Sequence, residues 1–279
     1  MLSYQHEYHA GNHADVLKHA VWTLVIRALQ RKPGPLRLYD AHAGSGLYDL
    51  GSREARLNAE HAVGIGRLAG AASPIPELAP YLEQVAAANA GAALRRYPGS
   101  PLLASELLRE HDHLAALELH PRAFGALRRL LGRKRRVHLH QRDCYEGLPA
   151  LLPPPERRGA VLIDPSYEVK KEFAQVAELV AACHARWPSG TYVIWYPFIP
   201  DRAVERFPAR VSATGIRRIY RLALQVADDR SPGLRGSGVL IVNPPFGLTD
   251  TFESMLPALW RKLAPDGAGH AHAGWLVGE

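Results

Sequence analysis

An α/β fold built on a seven-stranded, mostly parallel sheet with a small helical insertion is what this 279-residue chain predicts. Two observations carry it. Short apolar runs alternate with helical patterns, as parallel strands joined by helices require. Five of those runs close on chemically useful residues, at the position where open α/β sheets bind ligands.

The elements follow in chain order. Residues 14–31 carry an amphipathic helical pattern. The run 36–39 is the first strand and leads into Asp40-Ala41-His42-Ala43-Gly44-Ser45-Gly46. No strand signal follows until residue 114; residues 51–70 and 76–94 read as helical, interrupted by Ser73-Pro74-Ile75-Pro76. A strand–helix–strand unit needs only ~30 residues, so residues 48–98 are expected to be an insertion into a domain formed by 1–47 and 99–279. The strand 114–117 ends at Glu118-Leu119-His120-Pro121 and a helix covers 121–131. The strand 137–140 ends at Gln141-Arg142-Asp143-Cys144 and a helix covers 145–152. The apolar run Ala160-Val161-Leu162-Ile163 is a buried strand, ends at Asp164-Pro165-Ser166-Tyr167, and is followed by a helix over 172–187. The fifth strand, 191–196, ends at Pro197. Two more, 216–226 and 238–242, flank a turn-rich loop, 228–236.

Composition narrows the function. Apolar residues make up 47% of the chain, enough for a full core, and no apolar run approaches the ~18 residues of a membrane span. The N-terminus lacks a basic-then-apolar leader. Two cysteines cannot build a disulfide framework, so a reducing, cytoplasmic location is expected. The net charge of +7 is carried mostly by arginine. Dense runs occur at Arg128-Arg129, Arg133-Lys134-Arg135-Arg136, Arg95-Arg96, Arg157-Arg158 and Arg217-Arg218. Each alone is a solvated face; together they point to a polyanionic partner. Fourteen histidines show no metal-ligand spacing, so no metal is expected.

The strand-end residues suit one task together. Gly44 and Gly46 let the backbone approach a ligand, but Asp49 stands where a dinucleotide fold needs its third glycine, so a smaller nucleoside ligand fits better. Glu118 is placed to accept both hydroxyls of a ribose; it could equally be a surface acid. Asp143 and the Cys144 N–H are placed to meet an adenine ring, while Asp143 could also cap the next helix. Asp164 and the carbonyl of Pro165 can accept the two hydrogens of an exocyclic amine, and Tyr167 offers a ring face to a base. That order describes an S-adenosylmethionine pocket beside an amine-methylating site.

The chain resembles the RlmJ family of bacterial 23S ribosomal RNA adenine-N6 methyltransferases along essentially its whole length. The resemblance rests on Met1-Leu2-Ser3-Tyr4, His9-Ala10-Gly11-Asn12-His13-Ala14-Asp15-Val16-Leu17-Lys18-His19, the Asp40–Gly46 loop and Tyr97-Pro98-Gly99-Ser100-Pro101. It continues through Glu118-Leu119-His120-Pro121, Thr191-Tyr192, Asn243-Pro244-Pro245 and Gly267-Ala268-Gly269-His270-Ala271. It implies a Rossmann-like S-adenosylmethionine-dependent methyltransferase with a helical insertion, acting on 23S rRNA; a monomer is the default expectation. It also implies donor contacts at His19, His42, Ser100, Glu118, Asp143, Cys144 and Asp164, with Asp164 catalytic and Tyr4 touching substrate. The family carries Asp-Pro-Pro-Tyr where this chain has Ser166, which restores an N–H and loosens φ. Asn243-Pro244-Pro245-Phe246 also matches amine methyltransferases but follows the last strand, so Asp164 is ranked first. The other readings are a DNA amine methyltransferase, a protein-glutamine methyltransferase using Asn243, and a non-catalytic RNA-binding module. A nicotinamide dehydrogenase fits least.

Overall fold

The computed structural model describes residues 5–69 and 75–279; Tyr4 lies outside the described residues. Within them the strands are β1 (Arg37–Asp40), β2 (Leu47–Asp49), β3 (Arg96–Pro98), β4 (His113–Leu117), β5 (Val137–His140), β6 (Gly159–Ile163), β7 (Thr191–Phe198), β8 (Ile219–Gln225), β9 (Gly236–Val242) and β10 (His270–Val277). The helices are α1 (His13–Gln30), α2 (Arg53–Asn58), α3 (Glu60–Val63), α4 (Ala79–Ala88), α5 (Ser100–Leu107), α6 (Pro121–Leu131), α7 (Cys144–Leu151), α8 (Glu172–Arg186), α9 (Arg202–Ser212) and α10 (Leu248–Leu263). No helix among these is long and apolar enough to cross a membrane.

One sheet runs in the order β10-β8-β9-β7-β6-β1-β4-β5. The pairs β6–β7, β1–β6, β1–β4 and β4–β5 are parallel; β7–β9, β8–β9 and β8–β10 are antiparallel. Successive strand residues face opposite ways, and the two resulting sets feed two cores. Leu38, Leu114, Ala116, Ala160, Leu162 and Val193 join α1, α5 and α10. Tyr39, Ala115, Leu117, Val161, Ile163 and Ile194 join α7, α8 and α9. With both faces covered, the strands read as unbroken apolar runs rather than alternating ones. The chain leaves β1 to either side, through β4 and through β6, and a crevice opens at the carboxyl ends where the order reverses.

Helix α1 starts sharply because the Asn12 side chain accepts from the N–H groups of Ala14 and Asp15, both at 3.0 Å. It is buried on nearly every side, and Trp22, Val25 and Ile26 are fully enclosed. It therefore crosses the core rather than lying on it, unlike the amphipathic helix predicted from the sequence.

Three other expectations change. The main sheet has eight strands, not seven: β10 pairs antiparallel with β8 at the edge, and its half-exposed residues lack a strong apolar signal. Residues 47–49 and 96–98 form a ribbon inside the interval without a strand signal; three residues each are too few to show a period. Between them the helices are shorter than predicted. Ala59 takes a left-handed conformation (φ 48°) that separates α2 from α3, and α4 ends at Ala88.

Gly159 begins β6 with φ 150°, and a Cβ there would lie 1.7 Å from the Arg37 carbonyl oxygen on β1. Gly159→Ala is expected to destabilise the protein by on the order of 3 kcal/mol, through backbone strain and a forced opening of the β1–β6 pair. Urea denaturation checks this; an unchanged midpoint would refute it.

Candidate active site

A cavity of about 860 Å³ opens at the carboxyl ends of β1, β4, β5, β6 and β7. It brings together His19, His42, Gly44, Ser100, Glu118, Asp143, Cys144, Asp164, Pro165 and Tyr167. Gly46 is not in its wall. With φ 80°, it turns the β1 loop against α6, where a Cβ would press on Leu127 and Leu130.

The β1 loop and the β4 end are tied together. Glu118 accepts from the Gly44 N–H at 2.8 Å and from the His120 N–H at 2.6 Å, so both carboxylate oxygens have fixed directions. Gly44 (φ 61°) is required because a Cβ would lie 2.4 Å from the Tyr48 hydroxyl. Asp143 does cap α7, accepting from the Tyr145 N–H at 2.9 Å, and it still lines the cavity. The capping and ligand readings are therefore compatible.

His42 joins three loops. Its Nδ1 accepts from the Asp164 N–H at 3.2 Å, which leaves the ring proton on Nε2, 3.2 Å from Cys144 Sγ. Burial, reinforced by Lys18, pushes the imidazole down to about 3. The ring is thus neutral, with its tautomer set by the backbone it supports. His19 is also held neutral by burial and Lys18, and its Nδ1 lies 2.7 Å from the Tyr97 hydroxyl, which in turn meets Tyr81.

Asp164 follows β6 and pairs with Lys18 of α1. Lys18 also bonds Asp15 at 2.8 Å and lies 5.8 Å from the centre of the Trp195 ring. Asp15 accepts in addition from the Gly11 N–H and from His6, both at 2.9 Å. Burial raises the Asp164 carboxyl despite the opposing Lys18 charge. Burial opposes the Lys18 ammonium, but the two carboxylates outweigh it and raise its pKa. Lys18 and Asp15 were quoted in the sequence only as part of a motif. Their signal was there: two opposite charges three residues apart, on a helix whose next charge comes only at Arg27.

Tyr167 is buried rather than free. Its ring stacks on Phe173 (centroids 4.3 Å apart, 23° between planes), and its hydroxyl donates to the Trp195 carbonyl at 2.8 Å. These contacts hold it at φ 52°, a left-handed value uncommon for an aromatic residue. One face of the ring is therefore already covered. Asn243 sits at the other end of the sheet, where its amide donates to the Pro188 and Gly190 carbonyls at 2.8 and 2.9 Å.

The segment before α1 forms part of the cavity wall, through Gln5, His6, Glu7, His9 and Asn12. Glu60 of α3 holds it, bonding His9 and the Asn12 amide at 2.9 Å each. The Ile65 N–H donates to Gly11 O at 2.8 Å.

Beneath the β1 loop, Asp40 is fully buried. Burial pushes its carboxyl up to about 7, against hydrogen bonds from Ser100 and the His42 N–H. In the unfolded chain the same group ionises near pH ~4. A raised folded pKa means stability is fullest below the unfolded value and is lost as pH rises to the folded one. Asp40→Asn is therefore expected to match the natural chain at about pH 4, gain on it up to about pH 7, and keep a constant advantage above. Thermal melts across pH check this; a difference independent of pH would contradict the assignment.

The chain is similar to known proteins over its full length. The family model described as "Ribosomal RNA large subunit methyltransferase D, RlmJ" matches residues 33–277. The chain is 42% identical over 280 residues to "Ribosomal RNA large subunit methyltransferase J" of Escherichia coli, covering all of both chains. It is 39% identical to the protein of the same name in Haemophilus influenzae, again over full length. Among solved structures, protein LPL1258 from Legionella pneumophila superposes with a TM-score of 0.88 at 31% identity, over 95% of this chain and 98% of that one. The chain belongs to the RlmJ family of ribosomal RNA large subunit methyltransferases.

Proposed function

We propose that this protein transfers a methyl group from S-adenosylmethionine to the N6 amine of an adenine in 23S ribosomal RNA, in the cytoplasm. The observation that carries the reading is the meeting of two half-sites in one cavity: the Glu118 and Asp143 carboxylates, and the Asp164-Pro165-Ser166-Tyr167 turn. Residues 48–98 are read as the insertion that clasps the N-terminal segment through Glu60.

The residues present fit the donor. The cavity is large enough for a nucleoside and an amino-acid tail. Glu118 is clamped by two backbone N–H groups at the end of β4, the position from which an acid receives a ribose diol. The buried Tyr145 hydroxyl and Trp195 indole N–H have no partner among the described residues, and both residues line the cavity. When bound, S-adenosylmethionine supplies an electrophilic methyl on a sulfonium.

The chain's own part is orientation. The adenine amine is a weak nucleophile because its lone pair is delocalised into the ring. Asp164 and the Pro165 carbonyl accept its two hydrogens and turn the lone pair out of conjugation. Asp164 must be ionised to accept, and burial works against that. Lys18 stabilises the carboxylate, while His42 holds the backbone N–H of the same residue. Asp164 can then take the proton as the new bond forms. Tyr167 and Phe173 brace the turn that Ser166 leaves less rigid than a second proline would.

Asp164→Ala is expected to lower methyl transfer by about 10²–10⁴-fold while S-adenosylmethionine still binds. Asn243→Ala is expected to keep its turnover and lose about 1 kcal/mol of stability, because the exposed Pro188 carbonyl and the part-buried Gly190 carbonyl lose their shared donor. The measurements are transfer from labelled S-adenosylmethionine to 23S rRNA, mass-spectrometric mapping of the adenine, and urea unfolding. Full activity in Asp164→Ala, or loss of activity with Asn243→Ala alone, would reverse the assignment. Transfer to DNA and not to RNA would replace the substrate.

A further inference from the structure

The arginine runs that first suggested a polyanion do not surround the cavity. Connections that enter β1, β4, β5, β6 and β8 lie at the sheet end opposite it, because these strands all run the same way. Those five connections (31–36, 108–112, 132–136, 152–158 and 213–218) carry eleven lysines and arginines against three acids. The excess of eight exceeds the net charge of the whole chain, +7.

Specific ion pairs use up part of this charge. Arg109 is bound to Asp112, Lys134 to Glu106 and Arg218 to Glu279; Arg217 donates to the Glu279 carbonyl. Arg158 is spent on the Gly34 and Leu29 carbonyls, and Glu156 is taken by Arg37. Arg31, Lys32, Arg133, Arg135, Arg136 and Arg157 have no acidic partner among the described residues. They stand at the starts of β1, β5 and β6, across four adjacent strand ends, a strip about 14 Å wide at the normal strand spacing.

A second observation comes from the motif that the catalytic reading left unused. Phe246, in the turn after β9 at this same end, is 97% exposed. The Arg31 guanidinium reaches to 4.0 Å from the Cβ position of the next residue, Gly247. An uncovered aromatic ring in a turn that Arg31 reaches offers a base a stacking face and its phosphate a counter-charge.

We propose that the sheet end formed by Arg31, Arg133, Arg135, Arg157 and Phe246 is a second RNA-binding surface, gripping a stretch of the 23S rRNA away from the target adenine. This rests on the rRNA substrate proposed above. The five residues of β6 put roughly 17 Å between this surface and the cavity. Only RNA long enough to pass around the domain engages both, so the surface acts on long substrates and is silent on short ones.

The test compares the natural chain with Arg133→Glu/Arg135→Glu/Arg157→Glu, with Phe246→Ala, and with Arg261→Glu/Lys262→Glu as a charge control at the cavity end. Each is titrated against in-vitro transcribed 23S rRNA over a range of salt. Methyl transfer is measured on that transcript and on a short RNA carrying the mapped adenine. The triple variant is expected to bind the transcript at least about tenfold more weakly, with a salt slope smaller by about 2, the value for three lost phosphate contacts. Phe246→Ala is expected to weaken transcript binding with its salt slope unchanged. For both, kcat and KM on the short RNA should equal those of the natural chain.

Unchanged transcript affinity and slope in the triple variant would overturn the proposal, as would an equal loss in the charge control. Loss of binding to anionic phospholipid vesicles, with RNA binding intact, would assign the surface to a membrane and overturn it as well. Failure of the natural chain to methylate either RNA would instead count against the proposed reaction, and the transcript-binding comparison would stand apart from it.

Discussion

A buried ammonium group shared by two carboxylates joins the first helix to the end of a central strand. Lys18 reaches both Asp15, one turn back on α1, and Asp164, past the end of β6. Removing one member of such a buried set costs about 3–5 kcal/mol, because a charge is left in a poor solvent. The set therefore fixes where α1 lies, and α1 organises one of the two cores. The same contact orients the carboxylate that the proposed chemistry uses. Stability and catalysis meet in one side chain, and helix, strand and cavity have to be right together.

Around that set, burial sorts the titratable groups into two states. Asp15 is held ionised by His6 and Lys18 against its desolvation, while Asp40 has only weak hydrogen bonds and is pushed towards neutrality. His19 and His42 are kept uncharged, which avoids adding cations beside Lys18. At the buried base of the site the charges of Asp15, Lys18 and Asp164 have defined partners, and the neutral imidazoles beside them act as struts.

The parallel half of the fold was legible because its strands are buried on both faces and end in distinct residues. Glu118, Asp143 and Asp164 could be placed from the order of apolar runs alone, and all line one cavity. Less was legible where the usual signals fail. Helices α9 and α10 contain Pro208 and Pro257, which read as breakers. Edge strand β10 and the β2–β3 ribbon are half-exposed or too short to show a period. In the site, the Lys18–Asp164 pair spans 146 positions and has no local trace. The arginine runs were visible at once, but only topology puts them opposite the cavity.

Cys144 forms part of the cavity wall, and burial raises its thiol, while the His42 Nε2 proton points at its sulfur. Sulfur attacks carbon as a thiolate, so a protonated, hydrogen-bonded thiol is a poor nucleophile. An alkylating molecule entering this cavity meets a side chain that cannot compete with its intended acceptor. The burial that seats Cys144 beside the loop thereby keeps this part of the wall from being alkylated in place of the substrate.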